Sequence, residues 1–316
     1  MTILAAPCQF ANASISGLRL LLVVAALTAS SLAVELKPRT EEEFNRFVRE
    51  AESRITSEAR TGDGFLLALS PVQHTLLRNG EILTETRLPG GDRKVTSGLI
   101  HDWAGVVFVP GVDVRDVIFA VQAYDRHKDF YKPEVVDSRL ISRSGQDFII
   151  MLRLLKKKVV TVVLQTEHAV HYEQIDSWHW WSQSHSIRIA EVLHPGRPDE
   201  EQLPPGTGRG FLWRLNSYWT FQELDGGTYV ECEAISLTRD IPRGLGWLIH
   251  PIIRELPRES LIATLRGTRD AASRGGLVTG LPPFFRPLAV PGRPFRTGTT
   301  AGDKRRPQSA AMAGPA

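Results

Sequence analysis

The chain has 316 residues, of which 42% are hydrophobic and 23% charged, and this composition excludes disorder of the chain as a whole. The formal net charge of +3 lies mainly in the tail from Pro287, where five Lys and Arg residues face one Asp. The rest of the chain is close to neutral, which excludes the basic footprint typical of a nucleic-acid-binding protein.

Residues 1–33 have the pattern of an export signal. Arg19 precedes an apolar run that ends in the small residues of Ser31-Leu32-Ala33. The whole stretch from Leu18 to Ala33, which includes Arg19, is only sixteen residues long, and this is short for a membrane span of about 20 residues. We therefore predict cleavage before Val34 and a periplasmic or secreted protein. Cleavage leaves Cys232 as the one cysteine, so the mature chain has no intramolecular disulfide.

Residues 34–95 are predicted to form an N-terminal helix and an apolar extension. From Glu35 to Ala59, apolar residues recur at helical spacing (Phe44, Phe47, Val48 and Ile55). From Phe65 to Val109 the sequence is apolar and typical of strands, with turn signals at Asn79–Glu81 and Pro89–Asp92. This segment could cover the outer side of a sheet.

The next elements alternate between strand and helix. Lys94–Gly111 predicts one long strand that ends at Pro110-Gly111, and Asp113 is a plausible N-cap. Val114 to about Lys128 predicts one helix or a broken pair. From Val135 the hydrophobic period becomes two, and turn residues separate about six consecutive antiparallel strands. Such a meander favours a strongly curved sheet.

After Pro242 the helical period returns and predicts a long C-terminal helix. Its apolar stripe runs from Leu245 to Leu256, and Pro257 could begin a second helix whose buried stripe includes Leu261 and Leu265. Gly275-Gly276 ends it. The Pro- and Gly-rich residues 276–316 show no period and predict a disordered tail.

The order of elements favours an α+β protein with a helix-grip fold. In this arrangement a curved antiparallel sheet of about six to seven strands wraps a long C-terminal helix. We assign residues 96–275 to this domain. An incomplete fit between helix and sheet would leave an apolar cavity, which is where small apolar ligands bind.

Two stretches resemble a known family. Cys232–Ala271, which includes "CEAISLTRDIPRGLGWLIHPIIRELPRESLIATL", is similar to the closing strand and helix of bacterial START-like proteins. Val106–Ile141 is similar to the first strand, helix pair and second strand of the same proteins. This SRPBCC, or helix-grip, superfamily includes steroidogenic-acute-regulatory-type lipid transfer domains, phosphatidylinositol transfer proteins, the birch pollen allergen and polyketide cyclases. The resemblance covers about Leu99 to Ala272 and implies a central cavity for an apolar molecule. It carries over no catalytic residue.

Residues 168–186 concentrate four histidines and three tryptophans, and three interpretations compete. A metal site is disfavoured, because on a strand His179 and His185 lie roughly 20 Å apart. General acid–base catalysis could use His168, His171, Tyr172, Glu173, His179 or His185, with Glu231 or Glu233 orienting a histidine. The third interpretation is the wall of a pocket together with ordinary aromatic packing.

We favour the pocket. On the strand after Val160, the even positions are predicted to face inward, and on the strand after Phe211 the odd positions. The candidate ligand-binding residues are His168, Tyr172, Trp213, Trp219 and Glu233, with Trp247 and His250 at the cavity mouth. Gly244 and Gly246 are a candidate hinge. We predict no catalytic residue, no metal and no cofactor.

The sequence thus predicts an exported protein that binds a hydrophobic small molecule or lipid. A cyclase- or hydrolase-like enzyme using His168 or His171, and an interaction module with a filled core, remain alternatives. No nucleic acid is expected as a partner. The basic tail could make transient contact with an anionic membrane surface.

Overall fold

The structure is a computed structural model that describes residues 35–60, 69–157, 161–240 and 246–275. The predicted signal segment 1–33 and the predicted tail 276–316 lie outside the described residues. The helices are α1 (Pro38–Arg60), α2 (Pro71–Arg78), α3 (Val114–Val121), α4 (His127–Phe130) and α5 (Gly246–Gly275). The strands are β1 (Ile82–Thr86), β2 (Arg93–Val95), β3 (Gly98–Pro110), β4 (Val135–Ser144), β5 (Asp147–Lys157), β6 (Thr161–Gln174), β7 (His179–Leu193), β8 (Glu201–Gln202), β9 (Leu212–Leu224) and β10 (Gly227–Arg239).

These strands form one antiparallel sheet. Its order is β1-β3-β10-β9-β7-β6-β5-β4, with β2 paired to β3 and β8 paired to β7. The six strands predicted as a meander are β4, β5, β6, β7, β9 and β10, and β3 is the predicted long strand. The sheet has ten strands rather than six or seven, because the short β1, β2 and β8 add to these.

Tight turns set the register of the hairpins. Asp225 and Gly226 join β9 to β10 with φ angles of 55° and 80°, which is the left-handed backbone that a two-residue hairpin turn requires. Leu224 and Gly227 are then direct partners. The predicted boundary between residues 95 and 96 falls within the β2–β3 hairpin, where Val95 pairs with Gly98.

The inner face of the sheet packs against α5 and α3. Leu261 and Leu265 of α5 join Val107, Phe221 and Val230 in one buried cluster. Residue Asp113 caps α3 through a hydrogen bond from the amide of Asp116, as predicted. A curved antiparallel sheet closed by a long C-terminal helix is the helix-grip architecture, and this prediction is confirmed.

The outer face is covered by α1. Phe44, Phe47 and Ile55 are buried against Trp181 and Trp213 of the sheet. The predicted helix of residues 35–59 is therefore confirmed, and it closes the sheet on the side opposite α5. This placement explains why β7 is aromatic on both faces, since Trp180 belongs to the inner cluster and Trp181 to the outer one.

Residues 71–78 were predicted as part of a β-like stretch, and this prediction is wrong. They form α2, which Ser70 begins with a capping box: its hydroxyl accepts from the Gln73 amide, and the Gln73 side chain accepts from the Ser70 amide. Pro71 at the first turn also favours a helix. Leu77 then packs on Val106 and Tyr229 of the sheet.

The sequence left two choices open: whether residues 114–128 form one helix or a broken pair, and whether Pro257 begins a second C-terminal helix. Residues 114–130 form a broken set, in which a 3-10 turn at Tyr124–Arg126 separates α3 from α4. The C-terminal helix is one element, Gly246–Gly275, so Pro257 lies inside it rather than starting a new helix. No helix among the described residues is long and apolar enough to span a membrane.

Candidate functional site

A cavity of ≈ 330 Å³ lies between the inner face of the sheet and α5. Its floor consists of residues on β5, β6, β7, β9 and β10, and its roof of residues on α5 and the segment 121–135. The lining includes polar, aromatic and small side chains: Tyr124, His127, Tyr131, Lys132, Glu134, Lys156, His168, Tyr172, Ser182, Ser184, Ser217, Trp219, Cys232, Ala234 and Ser260. The volume falls at the lower end of the range typical of ligand pockets.

Strand periodicity decides which side chains reach the cavity. On β6, every second residue from Val162 to Tyr172 contributes, apart from Thr166. On β7 and β9 the inward positions carry Ser182, Ser184 and Ser217. Small hydroxyl side chains on the floor leave room that larger residues would fill, and this pattern creates the cavity.

Two tyrosines meet inside the cavity. The hydroxyls of Tyr124 and Tyr172 lie 2.9 Å apart and form a hydrogen bond. Burial raises the pKa of both phenols well above the usual value. Both side chains therefore stay neutral and act as hydrogen-bonding groups rather than as charges.

Two buried histidines line the same space. Burial lowers the pKa of His168 and of His127 to about 4 each. Nε2 of His168 lies 3.0 Å from the hydroxyl of Thr166, and Nε2 of His127 lies 2.9 Å from the Val121 carbonyl oxygen. Both imidazoles are thus neutral near pH 7 and fixed in orientation, and each is a weak base.

Charged groups occur where the cavity reaches solvent. Lys156 pairs with Glu134 at 2.5 Å and donates a second hydrogen bond to Ser260 of α5 at 3.1 Å. The side chain of Lys132 is 71% exposed, and that of Lys156 is 30% exposed. Among the described lining residues, the only Asp, Glu, Lys or Arg side chains are Lys132, Glu134 and Lys156. The interior therefore suits a neutral molecule.

Three of the predicted ligand-binding residues line the cavity: His168, Tyr172 and Trp219. The indole of Trp219 stacks on Phe221, with ring centroids 6.1 Å apart, and donates to the Ser217 hydroxyl at 3.1 Å. The alternation predicted for β6 and for the centre of β9 is correct. Whether these residues bind a ligand stays a prediction.

Trp213 lies on the outer face of the sheet, so the prediction that it faces inward is wrong. The β9–β10 register shifts there, because Leu237 pairs with Arg214 while Thr238 pairs with Leu212. A bulge inserts one extra residue into a strand and reverses the alternation beyond it. Trp213 consequently packs under α1 in the outer cluster.

Glu233 also lies on the outer face. It is fully buried and accepts hydrogen bonds from Arg54 of α1, with Arg87 Nε 3.5 Å from its second oxygen. Asp102 of β3 adjoins this cluster. Its pKa is raised to about 8, mainly because the carboxyl group is buried and secondly because the negative charge of Glu233 is close. Glu233 therefore holds α1 on the sheet and does not reach the cavity.

The remaining predictions near the mouth are open. The side chains of Trp247 and His250 lie outside the described residues, as does Gly244 of the proposed hinge. Gly246 is the first residue of α5. The roles of Trp247 and His250 therefore stay predictions.

The acid–base candidates do not converge on one site. His171 is exposed and contacts Asp147 at 2.7 Å. His185 faces α1, where its Nε2 lies 2.7 Å from Glu52. Only His168 and Tyr172 of that set line the cavity. The described residues contain no group of three or more His, Cys, Asp or Glu side chains placed to hold a metal ion.

The sequence interpretation missed several lining residues. Tyr124, His127 and Tyr131 come from the short helical segment 121–135, whose path no periodicity predicts. Ser182 and Ser184 could have been found, because they share alternation with the inward Trp180. Cys232 lies on the floor, and burial raises its thiol pKa well above the usual value, so the thiol stays protonated.

No protein-family model and no curated protein matches the chain. Its fold is similar to several solved structures. A STAR-related lipid transfer protein fragment from Xanthomonas axonopodis has a TM-score of 0.40 at 16% identity, covering 58% of this chain and 98% of that one. A START superfamily protein from Mycobacterium smegmatis has a TM-score of 0.39 at 9% identity, covering 55% and 98%. The Zhui aromatase/cyclase from a Streptomyces species has a TM-score of 0.38 at 11% identity, covering 57% and 98%.

Proposed function

We propose that the protein binds one hydrophobic small molecule or lipid in the cavity between the curved sheet and α5. The observation that carries this proposal is the cavity itself, ≈ 330 Å³ in volume and lined largely by apolar side chains. A core of the same elements packed for stability alone would be filled, since protein interiors contain few voids larger than a water molecule.

The physical basis is transfer of apolar surface out of water. Each 100 Å² of apolar ligand area buried contributes about 2.5 kcal/mol. Leu152, Leu154 and Val170 offer the apolar wall, and Trp219 offers a flat ring. The neutral hydroxyls and imidazoles of the floor can satisfy one or two polar atoms of the guest without any charge being buried.

The guest is expected to enter near Lys132, whose side chain is exposed, and Lys156, whose side chain is partly exposed. The link between Lys156, Glu134 and Ser260 joins β5 to α5 at this point. Opening therefore requires this link to break or α5 to shift.

The test is native mass spectrometry of the protein in the form in which its own host produces it, purified without detergent. We expect a one-to-one adduct that denaturation releases as an apolar molecule. Ala234 lies on the cavity floor opposite Ser217, so Ala234→Leu should remove the adduct by filling the space. The matched control is Ala169→Leu on β6, which points away from the cavity and should keep the adduct. A clean apo mass, or an adduct unaffected by Ala234→Leu, would contradict the proposal.

Export is part of the same proposal and rests on residues 1–33 of the sequence. Arg19, the apolar run and Ser31-Leu32-Ala33 support a cleaved signal. N-terminal sequencing of the protein from a periplasmic or culture fraction should give Val34 as the first residue. Recovery of the uncleaved chain from the cytoplasm alone would contradict export.

A further inference from the structure

The hydrogen bonds around Thr166 fix the tautomer of His168. The Thr166 hydroxyl contacts two atoms, the Leu152 carbonyl oxygen at 3.2 Å and His168 Nε2 at 3.0 Å. A hydroxyl has one proton, and a carbonyl oxygen can only accept. Only one placement of the protons makes both contacts hydrogen bonds. In it the Thr166 hydroxyl donates to the Leu152 carbonyl oxygen, and Nε2 of His168 donates to the Thr166 hydroxyl oxygen. The opposite assignment would place two oxygen lone pairs against each other at 3.2 Å.

This assignment leaves Nδ1 of His168 as an acceptor. The imidazole is neutral near pH 7, because burial lowers its pKa to about 4, and a neutral imidazole with a proton on Nε2 has none on Nδ1. Within the described part of the chain, Nδ1 has no hydrogen-bond partner, although His168 is only 4% exposed and lines the cavity. Nδ1 keeps a little accessible surface, so a molecule in the cavity can reach it, and an acceptor that loses water without gaining a partner is unfavourable.

His127 repeats the arrangement on the opposite wall. Its Nε2 lies 2.9 Å from the Val121 carbonyl oxygen and must donate to it, so its Nδ1 is also an acceptor. The phenols of Tyr124 and Tyr172 already bond to each other. The serine hydroxyls of the floor can donate or accept, so the imidazole nitrogens determine which kind of polar atom the cavity prefers.

We propose that the molecule held in the cavity carries a hydroxyl group that donates a hydrogen bond to Nδ1 of His168. The inference rests on the proposed function and names the ligand class: a neutral, mainly apolar alcohol or phenol. An ether, ester or ketone of the same skeleton offers only acceptors and would leave Nδ1 unsatisfied. Thr166 is a positioning residue, since it acts through the imidazole.

The test compares two probes of nearly equal size, 2-naphthol and 2-methoxynaphthalene, by calorimetric titration of the full chain. We expect 2-naphthol to bind about tenfold more tightly, the effect of one hydrogen bond to a buried acceptor. His168→Leu should reduce this preference to about twofold or less. His171→Leu, on the same strand but exposed and paired with Asp147, is the matched control and should retain the full preference.

Nitrogen NMR provides a second measurement, because it reports directly which imidazole nitrogen carries the proton. Nitrogen NMR of the unliganded protein should show His168 protonated at Nε2 only, and 2-naphthol should shift the Nδ1 resonance in the direction of an accepted hydrogen bond. Thr166→Val should mix the two tautomers and weaken the preference for 2-naphthol.

The outcomes separate the two proposals. If both probes bind wild-type protein equally, or if the preference survives His168→Leu, the hydroxyl inference is wrong while the cavity function stands. If neither these probes nor any apolar molecule binds, both proposals are overturned. A resonance that shows the proton on Nδ1 would also overturn the inference.

Discussion

Asp102 and Glu233 lie on the neighbouring strands β3 and β10 and are buried together on the outer face of the sheet, at 2% and 0% exposure. Two guanidinium groups adjoin them: Arg54 from α1 and Arg87 from the link between β1 and β2. Burial of two carboxyl groups side by side favours retention of one proton. This cluster couples the docking of α1 to pH.

The first prediction concerns Asp102→Asn. The pKa of Asp102 is raised from about 3.9 in the unfolded chain to about 8, through burial and the charge of Glu233. Between pH 4 and 8 the native state therefore binds more protons than the unfolded state. The stability that the protonated Asp102 carboxyl contributes is complete below pH 4, falls as the pH rises across this range, and is lost above pH 8. Asn is neutral at every pH. We expect the variant to match wild type at pH 4 and to be more stable by several kcal/mol at pH 9, since each unit of the pKa difference corresponds to about 1.4 kcal/mol.

Urea denaturation at pH 4, 7 and 9 measures the difference. Asp129→Asn is the control, because Asp129 is half exposed beside Lys132 and should leave the pH dependence unchanged. If the difference in free energy of unfolding between Asp102→Asn and wild type were the same at all three pH values, the role of Asp102 would be refuted.

The second prediction concerns Arg54→Met. Methionine keeps the apolar stem but removes the guanidinium that donates to Glu233. An uncompensated buried carboxylate costs about 3–5 kcal/mol. Because Arg54 is 34% exposed and Arg87 remains nearby, we expect a smaller loss of about 2 kcal/mol. The double variant with Glu233→Gln should recover most of this loss.

Thermodynamic cycles from urea unfolding at pH 7 test this pair. Lys94→Met is the control, since Lys94 is 75% exposed and only 3.6 Å from Asp240, and exposed pairs contribute less than about 1 kcal/mol. If Arg54→Met and Lys94→Met reduced the free energy of unfolding equally, the buried pair of Arg54 and Glu233 would have no special role.

The third prediction concerns the attachment of α1. Phe44 is 1% exposed and belongs to the cluster with Trp181 and Trp213. Phe44→Ala should therefore destabilise the protein by about 3–5 kcal/mol. The adjacent Asn45 is exposed, and Asn45→Ala should change stability by less than about 0.5 kcal/mol.

Circular dichroism and tryptophan fluorescence should report one coincident unfolding transition for Phe44→Ala, because α1 and the sheet share a core. Separate transitions would instead show that α1 is an independent unit.

The sequence predicts those parts of the fold that repeat a simple period. Phe44 and Ile55 mark one helical face, and the inward residues of β6 follow the period of two. The strand count and α2 were missed for different reasons. Leu76 and Leu77 are apolar enough to suggest a strand, and the helix signal resides in the capping residues Ser70 and Gln73. Three-residue strands such as β2 have too few positions to show a period.

The site was predicted less completely than the fold. His168, Tyr172 and Trp219 were located by alternation, but alternation holds only while the register is unbroken. The bulge at the start of β9 turns Trp213 to the outer face. Glu233 shares the outward alternation of Ile235 and Leu237, yet its partner Arg54 is 179 residues away in the chain. No local pattern reveals such a contact.

The last prediction concerns Gly105 of β3, over which Leu265 of α5 packs. A Cβ at this position would lie 2.9 Å from Leu265 Cδ1, 3.0 Å from Thr84 Cγ2 and 3.1 Å from the Leu83 carbonyl oxygen. The backbone cannot yield easily within the paired β1 and β3, so Gly105→Ala should push Leu265 outward and cost about 1–3 kcal/mol.

Leu265→Ala alone should cost about 2–5 kcal/mol, because this fully buried side chain leaves a cavity. The double variant Gly105→Ala, Leu265→Ala removes the clashing methyl group, so its loss should be at least about 1 kcal/mol smaller than the sum of the two single losses. Urea unfolding of the four proteins gives this coupling energy. Additive losses would mean that Gly105 does not set the distance between α5 and the sheet, and the height of the cavity would then depend on other contacts.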